Sequence, residues 1–157
     1  MTPVFDEMIQ QHLLKSNVFS FYLTGLEDEK KFGVKSDLTF GYIDKTKFQG
    51  DIHWNDILFQ YMFGVRLDDV KVNGQSLGLC QGRPHGCLIT FDSGTSLMSV
   101  PTFAFNKMAQ QHVPTAHTFV ECQNKNQFGE LTLVIGGKDY SLTPDEWMFD
   151  PQPLSLA

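Results

Sequence analysis

Apolar side chains recur at helical spacing near the start of the chain, at Val4, Phe5, Met8, Ile9, His12 and Leu13. This predicts a short amphipathic helix with His12 as a packing residue on its apolar face. Thr2 is placed to cap the helix, with Pro3 at its first position. The spacing then changes. Residues 18–23 and 38–43 are short apolar and aromatic runs that predict strands, and the polar turn Asp44-Lys45-Thr46-Lys47 closes the second. Residues 48–54 alternate in part. Residues 61–72 are strand-like with one interruption at Gly64, and Val72-Asn73-Gly74-Gln75 is a hairpin signal. A short apolar run at 88–91 ends at Asp92-Ser93-Gly94-Thr95-Ser96. Pro101 opens a predicted helix that runs to about His112. Residues 119–122, 131–135 and 140–142 predict further strands, with Gly136-Gly137-Lys138-Asp139 turning between the last two. Many short strands, frequent turns and two or three short helices indicate an all-β domain.

Length and charge narrow the picture. A chain of 157 residues is long enough to bury one real core. Its 14 phenylalanines suit half-buried pleated surfaces. A net charge of −6 without a basic cluster argues against a nucleic-acid partner. The mixed-sign run Glu27-Asp28-Glu29-Lys30-Lys31 reads as a solvated loop. No apolar run approaches the ~20 residues of a membrane helix. The first residues lack both the basic start and the apolar stretch of a signal peptide, so they read as chain that begins in mid-protein. No Asn-x-Ser/Thr sequon is present.

The candidate chemistry is at Asp92. A carboxylate directly after an apolar strand is expected at a strand end, on a tight turn and partly out of water. Burial there would raise its pKa, and a second carboxylate nearby would raise one of the pair further. Gly94 permits close backbone approach and unusual backbone angles. Ser93 and Thr95 bring hydroxyls able to hold the loop and the carboxylate. Such an arrangement suits acid–base work on water. The tripeptide Asp-Ser-Gly also closes ordinary turns on its own backbone, so the surroundings decide between the two.

Those surroundings are specific. Residues 88–97 followed by Val100-Pro101 resemble the second catalytic motif of the pepsin-like aspartic proteases, with Cys87 five residues before the aspartate. Thr2-Pro3-Val4-Phe5 resembles the start of that family's C-terminal lobe. Residues 38–44 and 48–54 resemble its Phe-Gly-Gly-hydrophobic-Asp hairpin and its Tyr-x-Gly-x-hydrophobic-x-Trp strand, and 70–74 and 137–144 resemble two further hairpins. The match runs in order from Thr2 to about Asp150.

The resemblance implies that residues 1–157 are a partial C-terminal lobe: one β-barrel lobe, with a few short helices, of a bilobal enzyme, incomplete at its C-terminus. It implies an aspartic-type endopeptidase in which two aspartates share a proton and activate water, with no cofactor and no metal. Asp92 is then the catalytic residue of this lobe. Thr95 matches the position that bonds the outer carboxylate oxygen, Ser93 the position that bonds the facing loop of the other lobe, and Gly94, Thr95 and Ser96 the positions that bond the substrate backbone. The implied partners are a protein or peptide substrate and the missing N-terminal lobe. Val134-Ile135-Gly136 looks like the family's apolar-apolar-Gly triplet but falls at a hairpin, so it reads as a decoy. Tyr42 stands where glycine is usual, and Met62 where many relatives carry an aromatic residue near the substrate pockets.

The same resemblance implies a disulfide between Cys80 and Cys87, and a partner for Cys122 in the absent C-terminal segment. A zinc site from Cys80, Cys87 and His85 fits no common spacing, and His112 and His117 lack ligand spacing as well. Disulfides imply an oxidising compartment, and the family suggests secretion, lysosome or vacuole. Two other functions remain open: a catalytically inactive binding or inhibitor protein on the same scaffold, and a single-lobe homodimeric protease. The cysteine loop and the order of the motifs argue against the second.

Overall fold

The computed structural model describes residues 2–83, 86–111, 113 and 120–148. The chain divides into two compact units, residues 1–53 and 54–157.

In the first unit, helix α1 (Val4–Gln10) precedes an antiparallel pair, β1 (Phe19–Tyr22) and β2 (Asp37–Phe40). Phe5 of α1 packs edge-on against Phe19 at 5.0 Å and stacks with Phe40 at 6.0 Å, and Phe19 and Phe40 face each other across the pair. This aromatic contact anchors a helix otherwise too short to hold itself. Two details of the helix differ from expectation. Pro3, not Thr2, is the capping residue, and no side chain caps it. His12 follows the helix in the left-handed conformation, with φ 55, and is exposed instead of packed. The charge run is no loop either: it lies in helix α2 (Leu26–Phe32), which ends on Gly33 in the left-handed conformation. Glu and Lys are good helix formers, and Lys30 and Lys31 sit in the last turn, where the helix dipole favours cations. Lys47 pairs with Asp37 at 2.6 Å and lies over the Tyr22 ring, so the turn after β2 is tied back to the pair. Residues 41–56 form no strand, although 48–54 alternate in part.

The second unit holds two antiparallel sheets. One has the order β3-β4-β7, from β3 (Ile57–Phe59), β4 (Gly64–Leu67) and β7 (Cys87–Ile89). The other has the order β6-β5-β8-β9, from β5 (Asp69–Val72), β6 (Gln75–Ser76), β8 (Leu131–Ile135) and β9 (Lys138–Leu142). The expected Asn73-Gly74 and Gly136-Gly137 hairpins are both present, the latter with Lys138 and Asp139 already in the strand. Helix α3 (Thr102–Gln110) follows Pro101 as expected, and the short α4 (Pro144–Trp147) follows β9. Of the strand expected at 119–122, Phe119 lies outside the described residues, and Cys122 opens a 3-10 stretch (Cys122–Phe128). The core joins both sheets to α3 through Leu67, Val70, Leu77, Leu79, Ala104, Leu131 and Ile135. Leu131 is 2% exposed, which fits its central strand. Antiparallel sheets with a few short helices match the expected fold class.

Candidate active site

Pairing sets the position of Asp92. Strand β7 lies against β4 with Val65 opposite Ile89, Arg66 opposite Leu88 and Leu67 opposite Cys87. The chain then leaves the sheet through half-buried Thr90 and turns at Asp92. The turn closes by a hydrogen bond from the Thr95 amide to the Asp92 carbonyl at 3.3 Å. Both carboxylate oxygens are occupied. Oδ1 accepts the Gly94 amide at 2.9 Å, and Oδ2 accepts the Thr95 hydroxyl at 2.5 Å. Two donors on one carboxylate fix its rotamer and favour its ionised form.

This overturns one expectation. Within this chain Asp92 is not drawn out of water, because residues 91–100 are all exposed. Its pKa lies below the ordinary carboxylate value, first because of the Thr95 hydroxyl and then because of the Gly94 amide, with burial opposing only weakly. Gly94 is needed for space and not for unusual backbone angles. It is absent from the left-handed glycines, yet a Cβ there would stand 3.2 Å from Asp92 Oδ1. Ser93 and Ser96 lie exposed on the same loop.

A second feature shares this end of the sheet. The 3-10 turn Gln60–Met62 joins β3 to β4, and Phe63 follows it in the left-handed conformation, with φ 50. Since Val65 pairs with Ile89, Gly64 meets Thr90, and a Cβ on Gly64 would lie 3.7 Å from Thr90 Cγ2. The corner at 60–63 therefore opens beside the Asp92 turn. It presents Tyr61, 90% exposed, with exposed Met62 and Phe63, at the end of the sheet where the chain runs on from β7 to exposed Phe91. The sequence marks Met62 but not Tyr61, and only its place on the corner distinguishes Tyr61 from a core aromatic.

Behind the site, Cys80 and Cys87 form a disulfide with Cα atoms 5.2 Å apart, which pins the start of β7. Arg83, inside that loop, lies 4.1 Å from the Phe103 ring of α3 and donates to the Leu79 carbonyl at 3.3 Å. Cys122 is exposed and stands outside this disulfide. His85, His112 and His117 lie outside the described residues, and among those described no three metal-binding side chains converge. Val134 and Ile135 end β8, with Gly136 in the hairpin turn and the pair in the other sheet from β7. The hairpin placement agrees with reading this triplet as a decoy.

A model of the eukaryotic aspartyl protease family matches residues 1–155. The chain is similar to cathepsin E of Oryctolagus cuniculus, with 34% identity over 149 residues, covering 91% of this chain and 35% of the relative. It is 31% identical over 153 residues to cathepsin D of Gallus gallus, covering 95% and 37%. Against cathepsin D of Dictyostelium discoideum it is 31% identical over 152 residues, covering 94% and 38%. The chain thus spans little more than a third of these relatives' length.

Proposed function

Because this chain belongs to the eukaryotic aspartyl protease family, we propose that residues 1–157 are the greater part of the C-terminal lobe of an aspartic endopeptidase and that Asp92 is one of its two catalytic aspartates. The observation that carries the reading is the carboxylate at the end of β7, gripped on both oxygens by Thr95 and Gly94. A general acid–base group must be held still, and this one is.

The second aspartate comes from the part of the protein outside this chain. When the two carboxyls meet, like charges close together cannot both ionise, so the pair holds one proton between them. The ionised member takes a proton from a water lying between them as that water attacks the peptide carbonyl. The protonated member supports the developing oxyanion, and a proton then passes to the leaving amine. Exposure of Asp92 in this chain and its low pKa are what a half-site without its opposing carboxylate should show. Ser93 faces the other lobe's loop, while Gly94, Thr95 and Ser96 bond the substrate backbone. The substrate is a protein or peptide in extended form, and the Cys80–Cys87 disulfide supports an oxidising compartment of the secretory pathway.

The test is Asp92→Asn in the full-length protein. The amide keeps the shape and most hydrogen bonds, so KM should hold while kcat collapses. Retention of even roughly a tenth of kcat would remove Asp92 from the chemistry. A binding-only protein on this scaffold would show no acid-dependent turnover before any substitution.

A further inference from the structure

The chain has six asparagines, and Asn73 alone is followed by glycine. The other five precede Val18, Asp56, Lys107, Lys125 and Gln127. Asn73 and Gly74 form the two-residue tip of the β5–β6 hairpin, both exposed and both left-handed, with φ 51 and 76. The space where a Gly74 side chain would stand is open, with nothing within 4 Å. No Cβ therefore hinders approach of the Gly74 nitrogen to the neighbouring carboxamide. The Asn73 Oδ1 accepts the Glu130 amide at 3.2 Å, which draws electron density from Cγ and makes it more electrophilic. Strand β6 is two residues long and lies at a sheet edge, so the tip can open locally without loss of the fold.

From these observations we infer that Asn73-Gly74 is a self-modification site that converts asparagine to aspartate and isoaspartate. The deprotonated Gly74 nitrogen attacks Asn73 Cγ, forming an N–C bond. The carboxamide nitrogen leaves as ammonia, and a five-membered imide remains. Water then opens either carbonyl of the ring, giving an ordinary aspartate at this position or its β-linked isomer. The hairpin tip gains a negative charge. The isomer also adds a methylene to a two-residue loop, and this cannot keep both Asn73 bonds to Glu130, N to O at 3.0 Å and Oδ1 to N.

The folded protein is held for days in mildly alkaline and mildly acidic buffer, then mapped by mass spectrometry at each asparagine, with isoaspartate counted by enzymatic methylation. Conversion is expected at Asn73 ahead of the other five, faster at the higher pH, with an acidic shift of one charge. Asn73→Asp, whose ionised carboxylate is a poorer electrophile and cyclises more slowly than the amide, should give much less of the isomer at the higher pH and keep the hairpin. If Asn73 persists as amide in the folded protein while the urea-denatured chain converts it, or if another asparagine converts first, the inference is overturned.

Discussion

The Thr95 hydroxyl donates to Asp92 Oδ2 at 2.5 Å, and it is the largest cause of that carboxyl's lowered pKa. Thr95→Ala should therefore move the Asp92 pKa up toward its ordinary 3.8, leaving the Gly94 amide as the remaining donor. A carboxyl titration by NMR on this chain reads the shift directly. An unchanged pKa would show that the hydroxyl bond does not form in solution.

The sign of the pH effect follows from the same bond. A folded-state pKa below the unfolded one contributes stability above the unfolded value and loses it as pH falls through the folded value. Asp92 and Glu146 both have lowered values, Glu146 through the Thr143 amide and then its hydroxyl. Acidification from 4.5 downward for Glu146 and from 3.8 downward for Asp92 should thus weaken the fold, and Thr95→Ala should make Tm less dependent on pH in the lower of these windows. Thermal melts at stepped acidic pH compare the two proteins.

One carboxylate cannot act as acid and base in the same step. This chain by itself is expected to cleave no denatured protein substrate at acidic pH, and the full-length protein should show a bell-shaped acid profile. Cleavage by the chain alone that pepstatin blocks would point to a homodimer built from two copies.

Removing the Cys80–Cys87 bond by a double alanine substitution should lower stability by about 2–3 kcal/mol, because the bond closes a short loop and restricts the unfolded chain. Urea unfolding of the two proteins measures this. A difference near zero would mean that the loop is ordered without the bond, by Arg83 on Phe103.

Gly129→Ala should cost more than a surface change normally does. Its φ is 68, and a Cβ there would collide with Asn73 Oδ1, so the Asn73–Glu130 clamp must open. With ψ −163 as well, this is a backbone conformation that essentially only glycine adopts, and the strain alone contributes roughly 1–3 kcal/mol. Denaturant midpoints of Gly129→Ala and Asn73→Ala, singly and together, separate strain from clash, since removing the Asn73 side chain should relieve only the clash.

Much of the fold is legible along the chain. Local signals are strong where backbone angles dictate residue type, and so Asn73-Gly74, Gly136-Gly137 and the Pro101 helix start all stand where the sequence puts them. Local signals fail where a partner decides. Residues 48–54 alternate in part yet form no strand among the described residues, since a strand exists only when another chain segment takes its hydrogen bonds. The run from Glu27 to Lys31 has the charge of a loop, but its residues have high helix propensity, and between Gly25 and Gly33 they form a helix.

The order of residues alone determined the motif at Asp92, the family it resembles and the cysteine pair behind it. The tertiary structure decided three things: the two donors on one carboxylate, its exposure, and the Tyr61 corner placed beside it by Val65 against Ile89. The physical reason is range. Backbone angles and turn chemistry act over a few residues, whereas solvation and pKa depend on what long-range pairing brings near, and Gly64 and Thr90 are 26 positions apart in the numbering.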